Sequence, residues 1–511
     1  MLAPPRTTKC WTGCQAKPRR GPKSCKFVVR GGVGFYYGPT VHNVASAGNN
    51  SDGFSSSTQW NATCLNSNGN TVFNGTSCNA NTGSAVDVFT GLFSLSNPYP
   101  NGTNPVFSTA PSGLGNNLGI PLSTVLRSQR TLTTYNFNFG LEYELPHQVV
   151  VSVGYVGSRG LFLPLGNVDL NVLDLATIAK YQSALTASCP APSCVPNKWA
   201  PILPPTNTNS GAATVPLFVS LEQYPQFGNG NYGNGNGVVV NGYPGGDSEY
   251  SSLQTKVQKR LTGHFTTLAT FTWGKLMTDD GHPPLGFVGS HGGSIQDWRD
   301  LRLEHAISPQ DVKYLFTGQV SYDLPVGKDR ALNLHGVSDA ILGGWTANGI
   351  LYLGTGVPIQ SPSSGETGTL FSQRSDLTCD PSKGAPHTPT TWFSYQCFAR
   401  PGTESGGPIN PFIPGNAPAY LDHVRTRGAR EFDMSLYKTY KFTETKALRF
   451  DISAYNVSNT PQFGYPNVPN ATSVFNALQK DPSNPSPAGF GTITNTVNTP
   501  RQFQFGARFT F

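Results

Sequence analysis

Residues 502–511 read QFQFGARFTF. Phe503, Phe505, Ala507, Phe509 and Phe511 share one parity, and Gln502, Gln504, Gly506, Arg508 and Thr510 share the other. Successive side chains of an extended chain point to opposite faces, so this segment has one apolar side and one polar side. A helix would scatter the four rings around its circumference. The segment is a strand.

The same alternation recurs along the chain. Tyr135, Phe137, Phe139, Leu141 and Tyr143 are interleaved with Asn136, Asn138, Gly140 and Glu142. Across a short turn at 145–147 follow Val149, Val151, Val153 and Tyr155. A second hairpin joins 250–260 to 264–274 through 261–263, with Phe265, Thr267, Ala269, Phe271 and Trp273 on one parity. A third joins 430–440 to 447–457, where Phe432, Met434 and Leu436 pair with Leu448, Phe450 and Ile452. Further strands are expected over 27–37, 312–323 and 345–354, for a total of about ten, each of the length that a tilted membrane strand needs.

The connections fall into two kinds. Turns at 145–147, 261–263 and 441–446 are short, whereas 38–130, 158–248, 275–311, 355–429 and 458–500 are long and carry little regular pattern. Compact soluble domains seldom hold so many long loops, while outer-membrane barrels combine short periplasmic turns with long extracellular loops. Aromatic residues crowd the strand ends (Tyr36, Tyr37, Tyr155, Trp273, Tyr322, Tyr440 and Tyr455), as interfacial girdles do. A soluble sandwich or propeller would also alternate. Against it stand the irregular strand spacing and the lack of any blade-length repeat. The expected fold class is therefore all-β: an antiparallel transmembrane β-barrel, partial, with short periplasmic turns and long extracellular loops.

Composition agrees with two solvents. Of 511 residues, 37% are hydrophobic and 12% charged, yet 11% are aromatic. That is too polar for a conventional large core and too aromatic for a disordered chain. Mean hydropathy is -0.28, as alternation between lipid and a wet lumen produces. No apolar run approaches the ~18 residues of a membrane helix. The net charge of +7 comes from 35 basic and 28 acidic residues that are scattered. The one basic cluster, 17–26, lies in an irregular stretch, which weighs against nucleic-acid binding.

Catalytic and cofactor chemistry finds little support. The densest acid/His cluster is Asp297, Asp300, Glu304 and His305, but Trp298, Arg299 and Arg302 interleave it, as loop ion pairs would. His282 and His291 lack metal-ligand spacing. The Gly-rich run 228–237 resembles a phosphate loop in composition only, because no Lys-Ser/Thr or helix follows. No enzyme, cofactor or metal is expected. The nine cysteines speak to compartment. Cys64 with Cys78, Cys189 with Cys194, and Cys379 with Cys397 form local pairs inside long loops, which points to loop-stapling disulfides and an oxidising compartment. The alternative is three coincidental pairs of free thiols. Cys10, Cys14 and Cys25 leave an odd number.

Motifs in order along the chain resemble a known group. They include RGGVGFYY at 30–37, GYVGSRG at 154–160 followed by 167–171, YSSLQ at 250–254 with Lys259 and Arg260, and FTWGK at 271–275. LPVGK at 324–328, GGW at 343–345 and GTGVP at 354–358 come next. FDMSLYK at 432–438, YNVSNT at 455–460, Phe490-Gly491 and PRQFQF at 500–505 complete the series. Together they resemble TonB-dependent outer-membrane receptors of the Oar-like type. One departure is Lys313-Tyr314, where the group would carry Arg-His.

The resemblance implies the C-terminal β-barrel portion, over 27–511, of a receptor whose full barrel has about 22 strands. Such a receptor also carries a signal peptide, an immunoglobulin-like domain, a TonB box and a plug. Residues 1–26 lack the apolar run of a secretory signal and read as an irregular basic stretch from an altered start. The implied partners are outer-membrane lipid, an extracellular ligand, the barrel assembly machinery and, only through the missing N-terminal parts, TonB. Phe503, Phe505, Phe509 and Phe511 match the terminal aromatic signal that the assembly machinery reads. The implied role is energised uptake across the outer membrane, or secretion-related surface binding. The alternatives are a stand-alone porin or adhesin barrel and a secreted soluble β protein.

Overall fold

The computed structural model describes residues 26–38, 130–165 and most of the chain beyond. The exceptions there are 166–167, 182–183, 186–193, 202–210, 228–236, 241–242, 263, 280–294, 365–372, 402–412 and 470–486. Within 39–129 it describes Ser77–Cys78, Ala85–Val86, Leu122–Thr124 and residue 126.

Ten long strands form one antiparallel meander in sequence order: β1 Phe27–Tyr37, β2 Thr133–Leu145, β3 Val149–Pro164, β4 Pro244–Thr262, β5 Phe265–Thr278, β6 Tyr314–Asp323, β7 Trp345–Gly354, β8 Arg430–Lys441, β9 Ala447–Tyr455 and β10 Gln502–Thr510. The short strand Ala306–Ile307 adds to the upper end of β5. Among the described residues β1 and β10 are not paired with each other, so both outer edges of the sheet are open.

The register makes the two faces continuous. Starting from the terminal rings, Phe505 stands opposite Ile452, Ile452 opposite Leu436 and Leu436 opposite Ala347. The row goes on through Tyr322, Phe265 and, in the next rows, Val257, Val151 and Tyr143 to Phe27. One parity is therefore apolar from β1 to β10. The other carries Asn136, Asn138, Ser152, Gln254, Thr270, Gln319, Asn348, Asp433, Asp451 and Gln504. A one-residue slip at any ladder would exchange the faces, so the alternation of each strand sets the register of the next.

Strands β3, β4 and β5 run farther than their alternation suggested. β3 reaches Pro164, β4 begins at Pro244 and β5 reaches Thr278, where the hydropathy pattern placed loops from 158 to 248 and from 275. Backbone pairing continues in these ends, but Leu161, Phe162 and Leu163 are all half-buried. The side chains there no longer divide between lipid and lumen, so the period-2 signal fades while the ladder persists.

The buried apolar residues lie elsewhere. None of the well-buried hydrophobic side chains among the described residues belongs to the ten strands. They form clusters in the long connections: Ile359, Trp392, Phe393, Phe398, Leu421, Val424, Phe490 and Ile493 in one, and Leu173, Ile178, Leu185, Val215, Phe218 and Val219 in another. Two smaller clusters join different connections, Ile307 with Tyr420 and Leu165 with Ile295. The sheet is a wall between two solvents, and the loops above it fold into a cap with a core of its own.

Candidate functional site

The long connections all leave the same end of the sheet, because the strands alternate in direction and the turns at 146–148, 263–264, 324–344 and 442–446 occupy the opposite end. Their cap is held by buried polar clamps between segments distant in sequence. Arg374 and Glu304, each 3% exposed, form an ion pair at 2.5 Å. Arg374 also donates from Nη2 to Leu303 O (2.7 Å) and from Nε to Ala417 O (2.8 Å). Gln296, fully buried, receives the backbone N–H groups of Arg374 and Gly415 on Oε1 (both 3.0 Å) and donates from Nε2 to Gly415 O (3.0 Å). Its own N–H donates to Glu304 Oε1 at 2.8 Å. A Cβ at Gly415 would collide with the Arg374 carbonyl, so glycine permits this approach.

A second clamp ties the cap to the wall. Arg425 donates to Asp311 Oδ2 and Asp422 Oδ1 (both 2.8 Å) and to Gly356 O (3.2 Å). Asp311 also accepts from the Leu276 N–H of β5 at 2.6 Å. On the connection after β9, Asn456 takes a left-handed backbone (φ 47°) and donates from its N–H to Asp433 Oδ1 of β8 at 2.8 Å. Its Nδ2 donates to Thr499 O at 3.0 Å, and Asn459 Oδ1 accepts from the Arg501 N–H at 3.1 Å. The YNVSNT motif thus fixes how the chain leaves β9 and re-enters β10.

A third node is acidic. Asp169 Oδ1 accepts the Asn171 N–H at 2.8 Å, and Asn171 Nδ2 donates to Tyr224 O and Phe227 O (both 3.0 Å) and more weakly to Glu222. Burial raises the Asp169 carboxyl pKa, although backbone N–H groups of Asn171, Gly237 and Val238 oppose the shift. Burial, and then the nearby Asp169 charge, push Glu222 well above the usual carboxylate range. A Cβ at Gly237 would strike Asp169 and Asn171, which explains glycine there.

The acid/His cluster resolves into arginine–carboxylate ion pairs and one His–carboxylate contact. Asp297 faces Arg299 (3.6 Å), Asp300 binds Arg302 (2.7 Å), His305 meets Asp279 (3.1 Å) and Glu304 belongs to the Arg374 clamp. The Arg302 hydrogen bond lowers the Asp300 pKa, whereas burial raises those of Asp297 and Asp279. Among the described residues no group of three or more His, Cys, Asp or Glu side chains is arranged to hold a metal. His282, His291 and residues 228–236 lie outside the described residues. The interleaved arginines of the sequence account for Asp297–Arg299 and Asp300–Arg302, whereas His305 and Glu304 find partners outside the cluster. Arg374, Gln296, Asp311 and Arg425 were not readable from the sequence, because their partners lie far along the chain.

Cys379 and Cys397 form a disulfide beside the buried Phe393 and Phe398. Cys194 is also disulfide-bonded. Cys78 lies in the short strand Ser77–Cys78, while Cys64, Cys189, Cys10, Cys14 and Cys25 lie outside the described residues. Phe503, Phe505 and Phe509 stand on the apolar face of β10, 54–75% exposed, and Phe511 follows at 89%.

A sheet with one mainly apolar face, one polar face and all its long loops at one end defines the wall of a transmembrane β-barrel. Its place is the outer membrane. The chain belongs to the outer membrane beta barrel domain family, whose model matches residues 20–504. Comparison with curated proteins gives no match. Among solved structures the chain is similar to the ferric-catecholate import receptor Fiu from K12 E. coli in its closed form, at 10% identity and a TM-score of 0.31, covering 78% of this chain and 31% of that one. It is also similar to the pyoverdine receptor FpvA from Pseudomonas aeruginosa PAO1 (10% identity, TM-score 0.31, 75% and 30% covered). A third is the outer membrane transporter YddB from Escherichia coli (8%, 0.32, 77% and 34%). The chain spans about a third of the length of these structures.

Proposed function

We propose that this chain is the β-barrel part of an Oar-like TonB-dependent receptor, that it contributes wall and ligand-recognition loops, and that by itself it does not transport. The observation that carries the reading is the cap: the loops of one end form a buried, clamped structure above an open-edged wall. Loops that only joined strands would need no ion pairs as deeply buried as Arg374–Glu304. A rigid cap presents recognition groups at low entropic cost. The open edges of β1 and β10 support a wall that further strands complete.

On this reading residues 27–511 are barrel and 1–26 an unrelated basic stretch. Plug and TonB box belong to a longer receptor, of which this chain is a fragment. Phe503, Phe505, Phe509 and Phe511 serve as the assembly signal, and Cys64–Cys78 and Cys189–Cys194 join Cys379–Cys397 as loop staples. The chain is not an enzyme and needs no cofactor. Its ligand is extracellular and reaches the cap from outside the cell.

The competing reading is a stand-alone porin, favoured by one fact: β1 and β10 run in opposite directions, so they could pair. Planar-bilayer conductance decides between the two. The chain alone is expected to give no stable conductance and no heat-modifiable gel migration, and to gain both when earlier barrel strands encoded upstream are supplied. A steady ohmic pore from the chain alone would establish the porin instead.

A further inference from the structure

The turn between β6 and β7, residues 324–344, contains the helix Gly336–Leu342 at the periplasmic rim. We infer that this helix lies on the lipid side of the wall and seats its apolar residues in the inner leaflet of the outer membrane. Three side chains hold it, and all three belong to the apolar face. Lys438 donates from Nζ to Asp339 O (3.1 Å) and Ala340 O (2.6 Å), Tyr440 donates its hydroxyl to Ala340 O, and Trp345 donates Nε1–H to Ile341 O (2.9 Å). Lys438 and Tyr440 share the parity of Met434 and Leu436, and Lys438 stands opposite Trp345 in the ladder. Thr439 and Tyr437, on the lumen parity, make none of these contacts to the helix.

The arrangement answers two problems of a low-dielectric setting. A lysine on a lipid face is costly unless its charge is satisfied, and Lys438 is only 6% exposed beneath the helix. The last carbonyls of a helix have no intrahelical partner, and here the wall supplies donors to them. The large side chains that the helix turns outward are apolar: Val337, Ile341 and Leu342 are 75%, 60% and 58% exposed, and the exposed Ser338 has its hydroxyl bonded to His335 O. Val337 and Ile341, one turn apart, share a helix face. Lys438 and Tyr440, which hold the helix, lie in the same β8 row as Met434 and Leu436, and that row faces Phe450 and Phe505 through β9, so the helix sits at the edge of the apolar belt and acyl chains are its occupant.

Photolabelling tests this on the wild-type full chain. The chain, joined by the earlier barrel strands that complete its wall, is inserted in phosphatidylethanolamine–phosphatidylglycerol vesicles containing a phospholipid with a diazirine on its acyl chain, irradiated, digested and read by mass spectrometry. Label is expected on the peptide spanning 336–342 at a yield within threefold of that on 502–511, with tenfold less on that helix peptide in I341D. Label on 502–511 without label on 336–342 overturns the inference and leaves the membrane wall standing. Label on neither overturns both.

Discussion

Arg374→Met would leave the Glu304 carboxylate, 3% exposed, without its guanidinium. Removing one partner of a buried pair costs about 3–5 kcal/mol, because the remaining charge stays desolvated. At about 1.4 kcal/mol per decade, the cap should open roughly a hundred- to a few thousand-fold more often. The effect should stay local. Arg374 bonds to Glu304, Leu303 and Ala417, all in loops, whereas the wall is held by backbone ladders that the substitution does not touch. Hydrogen exchange reads this directly, since the amides of Gln296, Arg374 and Gly415 all donate within the clamp. They should exchange faster by those factors while β5 and β6 amides keep their rates. Pairing the change with Glu304→Met should restore most of the protection at the amides of residue 374 and Gly415, which donate to Gln296, because an apolar pair carries no stranded charge, but not at Gln296, whose own N–H loses its Glu304 acceptor. Unchanged exchange at these three amides, or equal acceleration in the strands, would refute the clamp as the element that holds the cap.

Three further outcomes follow from the geometry. Burial raises the carboxyl pKa values of Asp169 and Glu222 in the folded cap, so their unfolded forms lose protons first. Their stabilisation is then complete below the ordinary carboxylate range and is lost as pH rises through the raised folded values. Intrinsic-rate-corrected exchange at Asn171 and Tyr224 should therefore speed up with rising pH, and less steeply in Glu222→Gln, which leaves only Asp169 to titrate; faster exchange on acidification would contradict the assignment. Leu436→Arg, on the apolar face near the middle of β8, should cost about 2–4 kcal/mol in vesicle refolding of the chain joined by the earlier strands, while Ser435→Arg on the lumen face costs little; equal costs would mean that the faces are wrongly assigned. Reduction of Cys379–Cys397, 18 residues apart, should release about 3 kcal/mol of loop-closure stabilisation. It should open 380–396 to limited proteolysis without loss of the sheet, and unchanged cleavage would remove the staple from the account of the cap.

Much of the wall was legible in the sequence. Each strand carries its own period-2 pattern, and QFQFGARFTF shows both faces within ten residues. Because the parity of one strand constrains its neighbour, ten local readings combine into one continuous surface. The turn at 324–344 was less legible: the helix Gly336–Leu342 is short, and its apolar residues read like any loop until Lys438 is placed beneath it. Gly343 and Gly344 entered the reading only as part of a family motif. In the fold, Gly344 has a φ of +69° and a Cβ on Gly343 would meet Asp339 and Gly327.

The sequence by itself determined the class of fold, the two faces of the wall and the outer-membrane setting, because alternation is a local property that two solvents impose on every strand. Only the tertiary structure decided that the long connections form a cap. Glu304 finds Arg374, Asp311 finds Arg425 and Ile359 finds Phe490 across loops with no periodicity. Such contacts leave no mark in spacing, since a loop's partners are chosen by where the strands deliver its ends rather than by the order of its own residues.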